Sequence, residues 1–193
     1  MRAMKDQVRV LGVDDSPFRF GDRRSLVVGV LVRAPSYLEA VMRAEVEVDG
    51  DDSTDRLVDM VQGSRYAEQI ALVLVDGIAL AGFNVIDIGS FHERTGLPVA
   101  TITRDEPDMA GIESALRKHF PDWERRLSLV TRFPLRSLDT GHKPLHASVL
   151  GMDWDDFVRL VRATTVRGAV PEPVRIAHLV SAAMVKGESR GRP

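Results

Sequence analysis

The stretch Ile70-Ala-Leu-Val-Leu-Val-Asp76-Gly77 decides the fold. An unbroken apolar run closed by an acid and a glycine reads as a strand buried on both faces, which requires helices above and below its sheet. A carboxylate that ends such a strand lies at the carboxyl edge of the sheet, where open α/β sheets build their sites. A charge left there serves a metal ion or a polar ligand.

Upstream, Val8, Val10, Gly12 and Asp14 share one side of a strand, while Arg9, Leu11, Val13 and Asp15 share the other. This is a second strand ending in a carboxylate. Ser16-Pro17 breaks it, and the loop carrying Arg19, Gly21, Asp22, Arg23 and Arg24 leads to Ser25–Val32, the returning strand of a hairpin. Tyr37–Val48 ends in the alternating Ala44-Glu-Val-Glu-Val48 and supplies a third antiparallel strand. The acidic turn Asp49-Gly-Asp-Asp-Ser-Thr54 suits a helix start, and Leu57, Val58, Met60 and Val61 form an apolar stripe closed by Gly63. A crossover through that helix makes 70–76 a parallel strand.

Downstream, Ile78–Asn84 reads as a glycine-punctuated turn, Val85–Arg94 as a helix and Leu97–Thr103 as a short strand. Pro107 suits the first turn of a helix running to Phe120, and Leu127–Phe133 is expected as a further strand. Asp153 is expected to cap a helix carrying Trp154 and Phe157 as core residues, and a last helix holds Ile176, Ala177, Leu179, Val180 and Met184. Residues 1–7 and 188–193 are expected as loose tails around one domain spanning 1–193.

Composition narrows the function. The chain has no cysteine, so disulfides and thiolate metal sites are excluded and any metal must be held by oxygen or imidazole. No apolar run approaches the roughly 20 residues that cross a bilayer, so a soluble, cytoplasmic protein without a membrane partner is expected. A formal net charge of -2 over 193 residues excludes strong global attraction to nucleic acid and leaves only local basic faces. Arg19, Arg23 and Arg24 offer one such face, and Arg132, Arg136 and Lys143 another.

Three antiparallel strands, a helix, a parallel strand ending in Asp, then alternating helices and strands is the order of the ribonuclease H-like fold. An α/β protein with a mixed sheet of five or six strands flanked by helices is expected. There the first and fourth strands are neighbours, so Asp14 and Asp76 face one another. Two such carboxylates both stay ionised only with a divalent cation between them, and oxygen ligands favour Mg²⁺ or Mn²⁺. The chemistry this supports is metal-assisted phosphodiester hydrolysis.

Four phrases carry a family resemblance: Gly12-Val-Asp-Asp-Ser-Pro-Phe18, Val48-Asp-Gly-Asp-Asp-Ser-Thr54, Val75-Asp-Gly-Ile-Ala-Leu-Ala-Gly-Phe-Asn-Val-Ile-Asp87 and Pro171-Glu-Pro-Val-Arg-Ile-Ala-His178. Together they resemble the archaeal endonuclease dU family, which is similar to endonuclease V. The resemblance implies Mg²⁺-dependent nicking of DNA at or near a deaminated base, deoxyuridine or deoxyinosine, with RNA a second polymer left open, as is the oligomeric state.

Asp14 and Asp76 match the two strand-end aspartates of endonuclease V. Its third acid, near the start of the first helix, is assigned here to Asp52, completing a catalytic and metal-binding set of Asp14, Asp52 and Asp76. Gly77, Phe83, Asn84 and His142 are assigned to the substrate, with Asp15, Asp49 and Asp87 as secondary candidates. Two features depart from endonuclease V: no histidine follows Val75-Asp-Gly77, and no tyrosine wedge between prolines precedes Asp49. A non-catalytic nucleic-acid-binding or regulatory protein on the same fold is therefore the second reading. Glu172 and Arg175 are expected to pair and anchor the last helix, and His178 is given no role.

Overall fold

The computed structural model describes residues 7–19 and 21–190; most of the expected N-terminal tail, and residues 191–193 of the C-terminal one, lie outside the described residues. Strands β1 (Arg9–Asp15), β2 (Arg24–Arg33) and β3 (Tyr37–Glu47) form the antiparallel meander. Helix α1 (Ser53–Gln62) leads over to β4 (Ile70–Asp76), which pairs with β1 in parallel. A two-stranded ribbon, β5 (Ala79–Leu80) with β6 (Asn84–Val85), occupies the stretch expected as a turn. Helix α2 (Ile88–Thr95) follows, and then β7 (Val99–Thr103), parallel to β4.

After α3 (Met109–His119) the structure departs from expectation. Residues 127–131, read as part of a strand, belong to helix α4 (Trp123–Thr131). The alternation of Leu127 and Leu129 mimics a strand, but Asp122 at the helix start pairs with Arg126 one turn on, and the half-buried Leu127 and Val130 are at helical spacing. The last strands are instead β8 (Arg136–Leu138) and β9 (Leu145–Leu150), followed by α5 (Trp154–Thr164) and α6 (Glu172–Lys186). The sheet thus has seven strands rather than five or six, in the order β3-β2-β1-β4-β7-β9-β8, and β9 runs antiparallel to β7. Among the described residues no helix is long and apolar enough to cross a membrane.

Strand alternation divides the interior into two layers. Leu11, Val13, Val73 and Val75 pack on Leu57, Val58 and Val61 of α1 and on Ile88 and Phe91 of α2. Val10, Leu72, Leu74, Ala100 and Ile102 face the other way, onto Phe157, Leu160 and Val161 of α5 and Val174 of α6. Because side chains alternate, Asp14 continues the Val10-Gly12 row and Asp76 the Leu72-Leu74 row, so both carboxylates emerge on the α6 side. Val13 pairs with Val75 in the β1–β4 register, which sets the next residues, Asp14 and Asp76, side by side.

Gly12 determines how close α6 comes. A Cβ at this position would lie 2.1 Å from the Pro173 carbonyl carbon and 2.4 Å from its oxygen, so only glycine lets the start of α6 rest directly on the strand. Buried Glu172 anchors that first turn by holding Arg175 through two hydrogen bonds of 2.9 and 2.6 Å.

Candidate metal centre

The consequence of that close seating is that α6 carries His178 to the end of β1. Asp14, Asp76 and His178 each offer one ligand atom, and the three atoms lie within 4.8 Å of one another. His178 Nδ1 is 2.8 Å from Asp14 Oδ2, while Asp14 Oδ1 accepts the Asp15 N–H at 2.9 Å. Asp14 is 6% exposed, and Asp76 is half-buried.

The electrostatics of the three acids record this crowding. Burial first, and then the neighbouring charge of Asp76, pushes the Asp14 carboxyl up to about 7, against the opposing pull of His178. Burial also raises Asp76, and Arg104 and His178 pull it back. Asp15, on the opposite side of β1, is raised by burial and relieved by the backbone of Ala81. Two carboxylates that resist ionising together, with an imidazole alongside, form a donor set that fits a divalent cation, whose charge would remove the repulsion. The nitrogen donor departs from the oxygen-only set expected from the sequence: imidazole favours the later transition metals, Mn²⁺ tolerates it alongside carboxylates, and Mg²⁺ prefers oxygen and water.

Asp52, expected as the third ligand, is not in this cluster. Its carboxylate accepts the Glu47 N–H at 3.0 Å, the Asn84 side chain at 2.8 Å and Arg56 at 3.1 Å. Burial works to raise its pKa, and these three donors outweigh it and hold the group below the usual carboxylate range. Asn84 is fully buried, donating also to the Glu47 carbonyl and accepting the Ser53 N–H, so its amide has no free face for a substrate. Asp49 accepts the Phe83 N–H at 2.9 Å, and a side chain on Gly82 would collide with it. Arg126, buried in α4, donates to the carbonyls of Gly50 and Phe83. Asp49, Asp52, Asn84 and Arg126 together clamp the β5–β6 ribbon to the turn before α1.

The remaining candidates are dispersed. Gly77, with φ +78°, turns the chain directly after Asp76 and donates its N–H to the Ile102 carbonyl. The Phe83 ring packs edge-on against Phe120, with 5.6 Å between centroids. Asp87 caps α2 by accepting the Ser90 N–H, and pairs with Arg132. His142 lies on the exposed loop between β8 and β9. Lys143 pairs with Asp105, Arg24 with Glu45, and Arg136 stacks over Trp154.

Two site residues went unread in the sequence. His178 reads in the sequence as an ordinary helix histidine, although its phrase opens with Pro171 at a helix start and Gly12 offers the matching gap on β1. Arg104 follows the last residue of β7, beside Asp76, and with Asp76, Val170 and His178 it lines a cleft of about 180 Å³. A cation directly after a strand that ends at the same edge was the available signal.

A seven-stranded mixed sheet in this order, with aspartates at the ends of adjacent parallel strands, is a ribonuclease H-like fold. The chain matches the profile of the family described as "Endonuclease dU" over residues 6–185, and it belongs to that family. It is 40% identical over 191 residues to the "UPF0215 protein" of Methanothermobacter thermautotrophicus, covering 98% of this chain and 94% of the relative. Among solved structures, a protein of unknown function from Archaeoglobus fulgidus superposes with a TM-score of 0.83 at 34% identity, covering 93% of this chain and 99% of that one. Ciona intestinalis endonuclease V, crystallised with a DNA containing an inosine followed by a ribo-adenosine, shares the fold with a TM-score of 0.62 at 11% identity, covering 95% of this chain and 88% of its own.

Proposed function

We propose that the chain works as one cytoplasmic ribonuclease H-like domain that hydrolyses a phosphodiester bond of DNA at or near a deaminated base, using a divalent cation. The observation that carries this reading is the convergence of Asp14, Asp76 and His178 at the carboxyl edge of the sheet. Endonuclease dU family membership and the inosine-containing DNA bound by the Ciona relative support the substrate class.

In this reading Asp14, Asp76 and His178 hold the cation. When bound, it supplies Lewis-acid polarisation of the phosphate and a water of lowered pKa as nucleophile. Arg104 contributes the positive charge that lets an anionic phosphate approach two aspartates, and its position beside Asp76 suits a non-bridging oxygen. The glycine turn at Gly77 and the ribbon with Phe83 form the wall against which a displaced base would rest. Asn84, Asp49 and Asp52 act from behind that wall by fixing its shape. The Asp15 carboxylate, on the far side of β1, serves the same ribbon through Ala81.

The test is a nicking assay on end-labelled oligonucleotides carrying deoxyuridine, deoxyinosine or no lesion, with Mg²⁺, Mn²⁺ or chelator. Lesion-dependent cleavage by the wild type, lost in Asp14→Ala and Asp76→Asn while both variants stay folded, is the expected result. Cleavage that survives both substitutions overturns the reading. No cleavage with any metal favours the non-catalytic binding protein.

A further inference from the structure

The metal centre has a basic neighbour that the proposed chemistry does not use. β9 runs antiparallel to β7 with His146 opposite Thr103, so the loop joining β8 to β9 rises at the same sheet edge as Asp76. There it meets the loop between α5 and α6, and a cleft of about 400 Å³ opens between them. Its apolar wall is Leu138, Val161 and Val166, the last 60% exposed with nothing packed over it. Its polar wall is Arg162, Arg167 and His142. One acid, Asp139, also borders the cleft, and its carboxylate accepts the Gly141 N–H at 2.9 Å.

Two features distinguish these arginines. Nearby arginines of the same helices are tied to acids, Arg159 to Asp156 and Arg175 to Glu172, whereas among the described residues neither Arg162 nor Arg167 is within ion-pair distance of a carboxylate. The α5–α6 loop is also a shared wall: residues 165–168 line this cleft and Val170 lines the cleft beside Asp76. The two clefts are therefore adjacent along one edge. On the other flank of the centre, the turn before α1 carries Asp49, Asp51 and Asp52, a poor surface for phosphate.

From this we infer that the β8–β9/α5–α6 cleft binds the polynucleotide strand flanking the cut, with Arg162 and Arg167 on consecutive phosphates and the exposed Val166 against a sugar or base face. The inference rests on the nuclease reading and adds the direction in which the strand leaves the centre: toward α5, away from α1. A cleft of this size matches a small-molecule site and so takes one unstacked nucleotide unit rather than a duplex. Phosphate contact carries no base preference, so DNA and RNA strands are held alike at this cleft.

The experiment is fluorescence anisotropy of labelled single-stranded deoxyuridine DNA, and of an RNA of matching length, with wild type and with the double variant Arg162→Ala/Arg167→Ala. The expected result is an affinity loss of about tenfold near 0.1 M salt, with the salt slope shallower by about 1.4, two contacts at roughly 0.7 each for a single strand. The melting shift produced by Mn²⁺ alone stays at the wild-type value, which shows the metal centre intact. The Arg162→Lys/Arg167→Lys variant recovers most of the affinity and separates lost charge from lost folding. Unchanged affinity and slope in the alanine variant, with a wild type that binds and nicks, overturn this inference and leave the nuclease reading standing. A wild type that binds neither polymer overturns both.

Discussion

His178 and Asp14 are separated by 164 residues of chain and by 2.8 Å between imidazole nitrogen and carboxylate oxygen. The pair joins the first strand to the last helix, and with Asp76 of β4 it draws on three separate parts of the sequence. His178 is half-exposed, so its removal leaves no large cavity and the fold is expected to survive. His178→Ala should lower Mn²⁺ affinity by at least about tenfold, the scale on which even outer-shell partners of a metal act. Titration calorimetry with Mn²⁺ checks this; wild-type affinity in the variant would remove His178 from the ligand set. His178→Asp, which restores an oxygen-only set, should shift preference from Mn²⁺ toward Mg²⁺.

The raised pKa of Asp14 fixes the direction of a pH effect. Its folded value of about 7 stands above its ordinary 3.8, so the folded state holds this proton more tightly than the unfolded chain does. The contribution to stability is complete below about pH 4 and is lost as pH rises through about 7. Melts of chelator-treated protein from about pH 5 to about pH 8 should fall in midpoint, and Asp14→Asn should flatten the fall. Stabilisation by Mn²⁺ should grow over the same range, because a bound cation displaces that proton.

Asp76→Asn removes the charge that, after burial, does most to raise Asp14. The variant should bind metal far more weakly, yet in chelator at about pH 8 it should be more stable than wild type, because the like charge beside Asp14 is gone. Chemical denaturation gives the comparison. A variant less stable than wild type under those conditions would show that the two carboxylates do not repel appreciably.

Asp52 separates a structural role from a ligand role. Asp52→Ala leaves the Asn84 amide and the Glu47 N–H short of an acceptor and should cost about 1–3 kcal/mol, with Mn²⁺ affinity held at the wild-type level. Loss of metal affinity without loss of stability would return Asp52 to the centre.

Gly12→Ala is expected to act at a distance. The added methyl meets the Pro173 backbone, which cannot step aside as a flexible side chain could, so the cost should be at least about 1–3 kcal/mol. Because α6 must lift from β1, Mn²⁺ affinity should fall although no ligand has changed. Paired urea denaturation and calorimetry test both effects; a variant that binds Mn²⁺ normally would uncouple helix seating from the centre.

The strand ends were legible because a carboxylate after a run of buried apolar residues is a local signal, and β1 and β4 each carry one. The meander, α1, α5 and α6 were legible for the same reason, each having a clear period. Residues 127–131 read as a strand because a short Leu-Ser-Leu-Val segment satisfies both periods, and the contact that decides between them, Asp122 with Arg126, lies wholly outside it. β9 does carry a strand signal, the alternation Leu145-His-Ala-Ser-Val149, but in a short segment with a single β-branched residue that stands out little from the loop before it. Asp52 was assigned by position after an acidic turn, yet the same turn supplies the polar clamp that a tight ribbon needs, and chain order does not distinguish the two. His178 was hidden because its partner lies at the other end of the chain, and only the bare backbone of Gly12 linked them.

The seating of α6 against Gly12 also sets an order in time. During synthesis both aspartates leave the ribosome long before His178, and the gap at Gly12 stays open until α6 arrives to fill it. A nascent or truncated chain that stops short of α6 carries two mutually repelling acids at the rim of a sheet and no imidazole to join them. The centre is therefore completed only once α6 has been made, so synthesis past His178 becomes the condition for its assembly.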